Sequence, residues 1–143
     1  MTRCNAKDRN LKVLVIEDTA FIRKIISKSL TDLGVSTIVE VSDAGDAVRR
    51  LRTEKFDLVV SDSNLPTMTG FEILRYIRNN DRIKDTPLLL LTANTDKDDG
   101  ISALSSAMSE YLVKPFSAEE LEKKLLSLMP KRDTFGPQDD STM

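Results

Sequence analysis

Histidine is missing from all 143 residues, and cysteine occurs once, as Cys4. The lone thiol excludes an internal disulfide, and the polar start MTRCNAKDRN lacks the apolar core of a signal peptide. A cytoplasmic protein is therefore expected. No stretch approaches the roughly 18 consecutive apolar residues of a membrane span, so any link to a membrane has to run through a partner. Long basic runs are lacking too, and the net charge is only −2, which argues against non-specific nucleic-acid binding and polybasic membrane attachment. There is no glycine-rich nucleotide loop. With 40% apolar and 31% charged residues, the composition is that of one soluble domain, with no room for a second catalytic one.

What is present alternates between short apolar runs and amphipathic segments. Leu11–Ile16 is a largely β-branched strand that stops at the acidic pair Glu17-Asp18. From Thr19 to Leu33, Phe21, Ile22, Ile25, Ile26, Leu30 and Leu33 recur at helical spacing and are assigned to the core; Gly34 ends that helix. Val35–Val41 is a second strand, and Asp43 caps a helix over Ala44–Arg52 with the stripe Ala47, Val48 and Leu51. Phe56–Ser61 is a third strand, with Asp62 at its exposed tip and Pro66 closing the turn. Thr69–Arg78 is a helix broken by Asn79-Asn80, and Pro87–Thr92 is a fourth buried strand. A weak helix follows, from Thr95 or Asp96 to about Met108, then a fifth strand, Glu110–Val113, ending at Lys114-Pro115. Ser117-Ala-Glu-Glu120 is a capping box ahead of Leu121, Leu125 and Leu128. The chain divides into a polar leader (1–10), one domain (11–129) and a Pro-, Asp-, Ser- and Thr-rich tail (130–143) expected to be disordered.

Five strands alternating with five helices imply an α/β fold with a parallel sheet covered on both faces. Right-handed crossovers make it a doubly wound (βα)5, flavodoxin-like fold of strand order 2-1-3-4-5. Ligands of such sheets bind beyond the carboxyl ends of the strands, at the switch point between the first and third. Glu17, Asp18 and Asp62 all stand there. Their like charges need a cation among them, and an all-oxygen ligand set favours Mg²⁺ over Zn²⁺. Thr92 and Lys114, at the ends of strands four and five, offer a hydroxyl and a positive charge suited to a phosphoryl group. The chemistry that uses these parts is attack of the Asp62 carboxylate on phosphorus to form an acyl phosphate, with no general base required. Without histidine or a nucleotide loop in the chain, a phosphohistidine donor or an ATP-binding module has to belong to another protein.

Taken singly, each residue has an ordinary alternative. Glu17 and Asp18 suit a helix start, Asp62 a turn, Thr92 a strand, Lys114 a solvated charge and Tyr111 a core. Their joint placement at one end of the strands, in order, outweighs those readings.

The stretch from about Leu11 to Met129 resembles a bacterial two-component response-regulator receiver domain of the stand-alone, CheY-like chemotaxis type. The likeness rests on Glu17-Asp18, Val60-Ser-Asp62-Ser-Asn-Leu-Pro66-Thr-Met-Thr-Gly70, Leu91-Thr92-Ala93 and Tyr111-Leu-Val-Lys114-Pro115-Phe116. It implies that Asp62 is the phosphoacceptor, that Asp18 binds Mg²⁺ directly, that Glu17 acts through a metal-bound water, and that the Asn64 carbonyl is a further ligand. It implies a cis Lys114–Pro115 peptide and a switch pair, Thr92 and Tyr111, that remodels the face of helix four, strand five and helix five. Ala44 and Ala107-Met108 depart from the family's usual glycines, outside the pocket.

The expected protein is a monomer that catalyses its own phosphorylation and autodephosphorylation rather than acting as a conventional enzyme. A histidine kinase donates to it, and it signals to a target such as a flagellar motor switch or another effector. A phosphatase is a further candidate partner; nucleic acid and membrane are not. Asn64 and Asn94 flank the route of a hydrolytic water. The alternatives are a phosphotransfer intermediate or phosphate sink without a protein target, and a phosphate-independent interaction domain. The charges Glu119, Glu120, Glu122, Lys123 and Lys124 on the last helix are expected to form an ordinary solvated face.

Overall fold

Alternation of apolar residues along the strands sends successive side chains to opposite faces of one sheet, and helices cover both. The computed structural model describes residues 10–93 and 109–129. The expected leader, the helix between Thr95 and Met108, Asn94, the Ala107-Met108 turn and the tail lie outside the described residues. The described elements run β1 (Lys12–Ile16), α1 (Ala20–Asp32), β2 (Thr37–Val41), α2 (Ala44–Thr53), β3 (Leu58–Asp62), α3 (Gly70–Arg78), β4 (Leu88–Thr92), β5 (Ser109–Val113) and α4 (Ala118–Leu128). The last of these is the fifth helix expected from the sequence.

The sheet is parallel, in the order β2-β1-β3-β4-β5. On one face Val13, Val15, Leu58, Val60, Leu89, Leu91 and Leu112 pack against Ile26 and Leu30 of α1 and Leu121, Leu125 and Leu128 of α4. On the other, Leu14, Ile16, Val59, Leu88 and Leu90 meet Ala44, Ala47 and Leu51 of α2 and Ile73, Leu74 and Ile77 of α3. The central strands β3 and β4 are buried along their whole length, whereas β2 and β5, at the edges, carry exposed positions.

Helix ends follow local chemistry. Asp43 accepts the Asp46 N–H, and Thr69/Glu72 and Ser117/Glu120 form reciprocal capping boxes. Helix α1 closes in a Schellman motif: Val35 N–H donates to the Leu30 carbonyl and Gly34 N–H to that of Thr31, with Gly34 at φ 91°. Val35 is thereby taken up in the helix stop, so the second strand begins at Thr37 rather than at Val35.

Two other sequence expectations are corrected. Phe21 is 71% exposed rather than in the core. The buried line of α1 runs through Ile26, Ser29 and Leu30, flanked by Ile22, Ile25 and Leu33, and at 3.6 residues per turn Phe21 falls outside it. Asp62 is the last residue of β3, paired in register with Leu91 and only 7% exposed, so the strand tip is enclosed.

Candidate functional site

Three strand ends deliver the site. After β1 the chain turns at Glu17, whose N–H donates to the Val41 carbonyl at 3.1 Å, tying the acidic loop to β2. Glu17 is fully buried and Asp18 exposed. After β3 the turn is closed by main-chain bonds, Ser63 N–H to the Leu91 carbonyl and Gly70 N–H to the Ser63 carbonyl, with an isolated bridge between Asn64 and Thr69. After β5 the Lys114 N–H holds the Thr92 carbonyl at 2.8 Å, and the Lys114–Pro115 peptide is cis.

These turns bring ligand oxygens of Glu17, Asp18 and Asp62 within 4.8 Å of one another. The Lys114 ammonium lies 3.2 Å from Asp62 Oδ1 and 3.6 Å from Glu17 Oε1. Asp62 Oδ1 also accepts a long, 3.5 Å bond from the Asn64 N–H. Glu17 Oε2 accepts the Thr19 N–H at 3.2 Å, so part of the helix-start role open to this acid is real. Its Oε1 is buried and accepts no hydrogen bond, with the Lys114 ammonium 3.6 Å away as an ion-pair neighbour. Burial first, and then the Asp62 carboxylate, raise the Glu17 pKa above the usual carboxylate range, with Lys114 opposing them.

One ammonium does not neutralise three carboxylates, and a buried carboxylate oxygen that accepts no hydrogen bond is costly. The oxygen-only donor set and the Glu17 Oε1 that lacks a hydrogen bond therefore fit a hard divalent cation of the Mg²⁺ type.

Thr92 is buried at the end of β4, one residue beyond Leu91, which pairs with Asp62, and its carbonyl accepts the Lys114 N–H. Tyr111 instead points outward, 36% exposed, with the Lys124 ammonium 6.0 Å from its ring centroid. It is therefore neither a core residue nor part of the acid cluster in this conformation. Lys124 also pairs with Glu110 at 2.8 Å, so one of the α4 charges expected to be merely solvated links that helix to β5.

Two residues that shape the site have no role assigned to them from the sequence, although Gly70 closes one of the motifs quoted above. A Cβ on Gly70 would lie 2.6 Å from the Asp62 carbonyl oxygen and 2.5 Å from Leu90 Cδ1, so only glycine lets α3 start against the turn that follows Asp62. The one local signal was a glycine at the first position of a well-capped helix. Arg23 places its guanidinium on the Glu17 carbonyl at 2.6 Å, and nothing in the helical pattern sets it apart from Lys24 or Lys28.

Comparison with known proteins agrees with this geometry. The family model described as response regulator receiver domain matches residues 13–126. The chain is 37% identical over 115 residues to the chemotaxis protein CheY of Pseudomonas aeruginosa, covering 80% of this chain and 93% of that one. The structure of the chemotaxis response regulator CheY4 of Vibrio cholerae superposes with a TM-score of 0.74 at 35% identity, covering 83% of this chain and 98% of that one. The receiver domain of the sensor histidine kinase PA1611 from Pseudomonas aeruginosa, which has a magnesium ion coordinated in its active-site cleft, aligns at 31% identity with a TM-score of 0.70. That alignment covers 81% of this chain and 94% of the PA1611 domain.

Proposed function

The chain belongs to the response regulator receiver family and is a phosphoaccepting response regulator of CheY type; from that premise we propose that it accepts a phosphoryl group on Asp62 from a histidine kinase and signals through the face of β5 and α4. The observation that carries this reading is the convergence of Glu17, Asp18 and Asp62 at one end of the sheet, with Lys114 3.2 Å from Asp62 Oδ1.

In the transfer, an Asp62 carboxylate oxygen forms the new O–P bond as the N–P bond to the donor histidine breaks, and the departing imidazole nitrogen keeps the electron pair. Lys114, on the strand-five side, is placed to balance charge on the transferred group, and Thr92 to donate its hydroxyl to a phosphoryl oxygen. Glu17, Asp18, Asp62 and the Asn64 carbonyl would hold Mg²⁺. Bound there, the ion supplies charge compensation for carboxylates and phosphoryl oxygens.

The output side rests on the outward Tyr111. With Val113 (40% exposed), two places along β5, it presents apolar surface beside Lys124 of α4, which supports a switch that engages a downstream effector such as a flagellar motor switch. Among the described residues no helix is long and apolar enough to cross a membrane.

The test is phosphorylation by acetyl phosphate or a phosphohistidine donor, read by intact mass. Wild type gains one phosphoryl group in the presence of Mg²⁺ and Asp62→Asn gains none; undiminished uptake by Asp62→Asn rejects the assignment. Capture of an effector only by the phosphorylated or beryllofluoride-treated protein supports the switch. Rapid phosphate loss with no captured partner supports the phosphate-sink reading instead.

A further inference from the structure

Arg23 belongs to neither the acid cluster nor the core, yet it holds the loop that carries two of the three acids. Its Nη1 donates to the Glu17 main-chain carbonyl at 2.6 Å, and its Nε lies 3.4 Å from Glu40 Oε1 on β2. The other Glu40 oxygen accepts the Ser27 hydroxyl at 2.8 Å, one helical turn beyond Arg23. Because Glu17 N–H is already bound to the Val41 carbonyl, the Glu17 main chain is held on both its amide and its carbonyl side.

The carbonyl that Arg23 grips is half of the planar peptide group whose nitrogen belongs to Asp18. Fixing that oxygen fixes the plane from which the Asp18 side chain departs. A charged fork on a carbonyl is stronger and more directional than a neutral hydrogen bond. Arg23 carries a positive charge beside a site that would hold a cation, and Glu40 pairs with that charge, so the clamp works with little repulsion of the ion. Asp18 is exposed and has little packing of its own to orient it, so the main-chain clamp is what directs it.

We propose that Arg23, held by Glu40 and Ser27, is a positioning residue that sets the divalent-cation affinity of the site by fixing the Glu17–Asp18 peptide. This rests on the reading of Glu17, Asp18 and Asp62 as the cation site.

The test is calorimetric titration of the full chain with Mg²⁺, with the melting temperature measured in parallel in chelator. Arg23→Ala raises the Mg²⁺ dissociation constant about tenfold or more, the usual size for loss of a group that orients a metal ligand. Arg23→Lys recovers part of it, because an ammonium reaches one acceptor where the fork spans two. Glu40→Gln gives a smaller increase. With acetyl phosphate as donor, the Mg²⁺ concentration for half-maximal rate rises in Arg23→Ala, while the rate at saturating Mg²⁺ stays near that of wild type. Unchanged Mg²⁺ affinity in a folded Arg23→Ala, even with a lowered melting temperature, overturns the proposal. Should Arg23→Ala fail to fold, Arg23→Lys and Glu40→Gln decide the matter, and wild-type Mg²⁺ affinity in both overturns it equally. Asp18→Asn separates the two levels: if it binds Mg²⁺ like wild type, the cation-site reading fails and the positioning role falls with it. If Asp18→Asn loses binding while the Arg23 variants keep it, only the positioning role fails.

Discussion

At Glu17 two demands oppose each other. The proposed cation site uses a carboxylate there, and the fold favours a neutral group, because Glu17 is fully buried, its Oε1 accepts no hydrogen bond and Asp62 is close by. A carboxyl whose folded pKa is raised contributes most to stability when protonated, below its ordinary unfolded value, and that contribution is lost as the pH rises through the folded pKa. In chelator, Glu17→Gln is therefore expected to be more stable than wild type at neutral pH, with the gap closing as the pH falls below the ordinary carboxylate range. Urea unfolding at several pH values measures it. The same substitution weakens Mg²⁺ binding, so the ranking of the two proteins narrows or inverts when the metal is added. Asp62 is enclosed too, with the Lys114 ammonium 3.2 Å from its Oδ1. Sequence reasoning identified the acids and the lysine by their positions at the strand ends. It had no means of seeing that one acid is buried and its neighbour exposed.

At the scale of elements, the strand-to-helix turns do most of the positioning. Gly70 lets α3 begin against the Asp62 carbonyl, and a methyl group there meets main chain that cannot easily move aside. Gly70→Ala is expected to lower stability by about 1–3 kcal/mol, the cost of overpacking, and to slow phosphoryl uptake at Asp62. Chemical denaturation and the acetyl phosphate reaction check the two effects. At the opposite end of the sheet Glu54, just after α2, pairs with Lys12 of β1 at 2.7 Å and with Arg50 at 2.7 Å. Those cations hold its carboxyl below the usual range. A depressed folded pKa gives stability that is present above the unfolded value, near 4.5, and lost as the pH falls through the folded one. Glu54→Gln should thus cost up to about 1 kcal/mol at neutral pH, given the partial exposure of the pair, and nothing in strong acid. Thermal melts at pH 7 and pH 3 decide it. The capping boxes at Thr69 and Ser117 were legible in the sequence because they are local. The start of β2 was not, because Val35 is claimed by the stop of α1.

For the whole molecule, a cation that binds only the folded chain stabilises it by mass action, about 2.7 kcal/mol at a hundredfold excess over the dissociation constant. Mg²⁺ is therefore expected to raise Tm, chelator to reverse the shift, and Asp18→Asn to abolish most of it; a Tm indifferent to Mg²⁺ argues against the acid cluster as a metal site. The parallel sheet and its order were readable from the residues because apolar strands and amphipathic helices alternate, and crossover handedness leaves few topologies. The gathering of Glu17, Asp18, Asp62, Thr92 and Lys114 at one end follows from that topology, since each lies where a strand ends. What the sequence by itself determined, then, is the fold class and the placing of these residues at one end of the sheet, both of which depend on residue type and local period. Only the tertiary structure decided which residues are enclosed and which hold them. Phe21 lies outside the buried line of its helix, Tyr111 faces solvent, Gly70 is pressed against main chain, and Arg23 grips a carbonyl six residues back. These depend on contacts between elements, where burial and direction are set by packing across the sheet, and no periodicity along the chain records them.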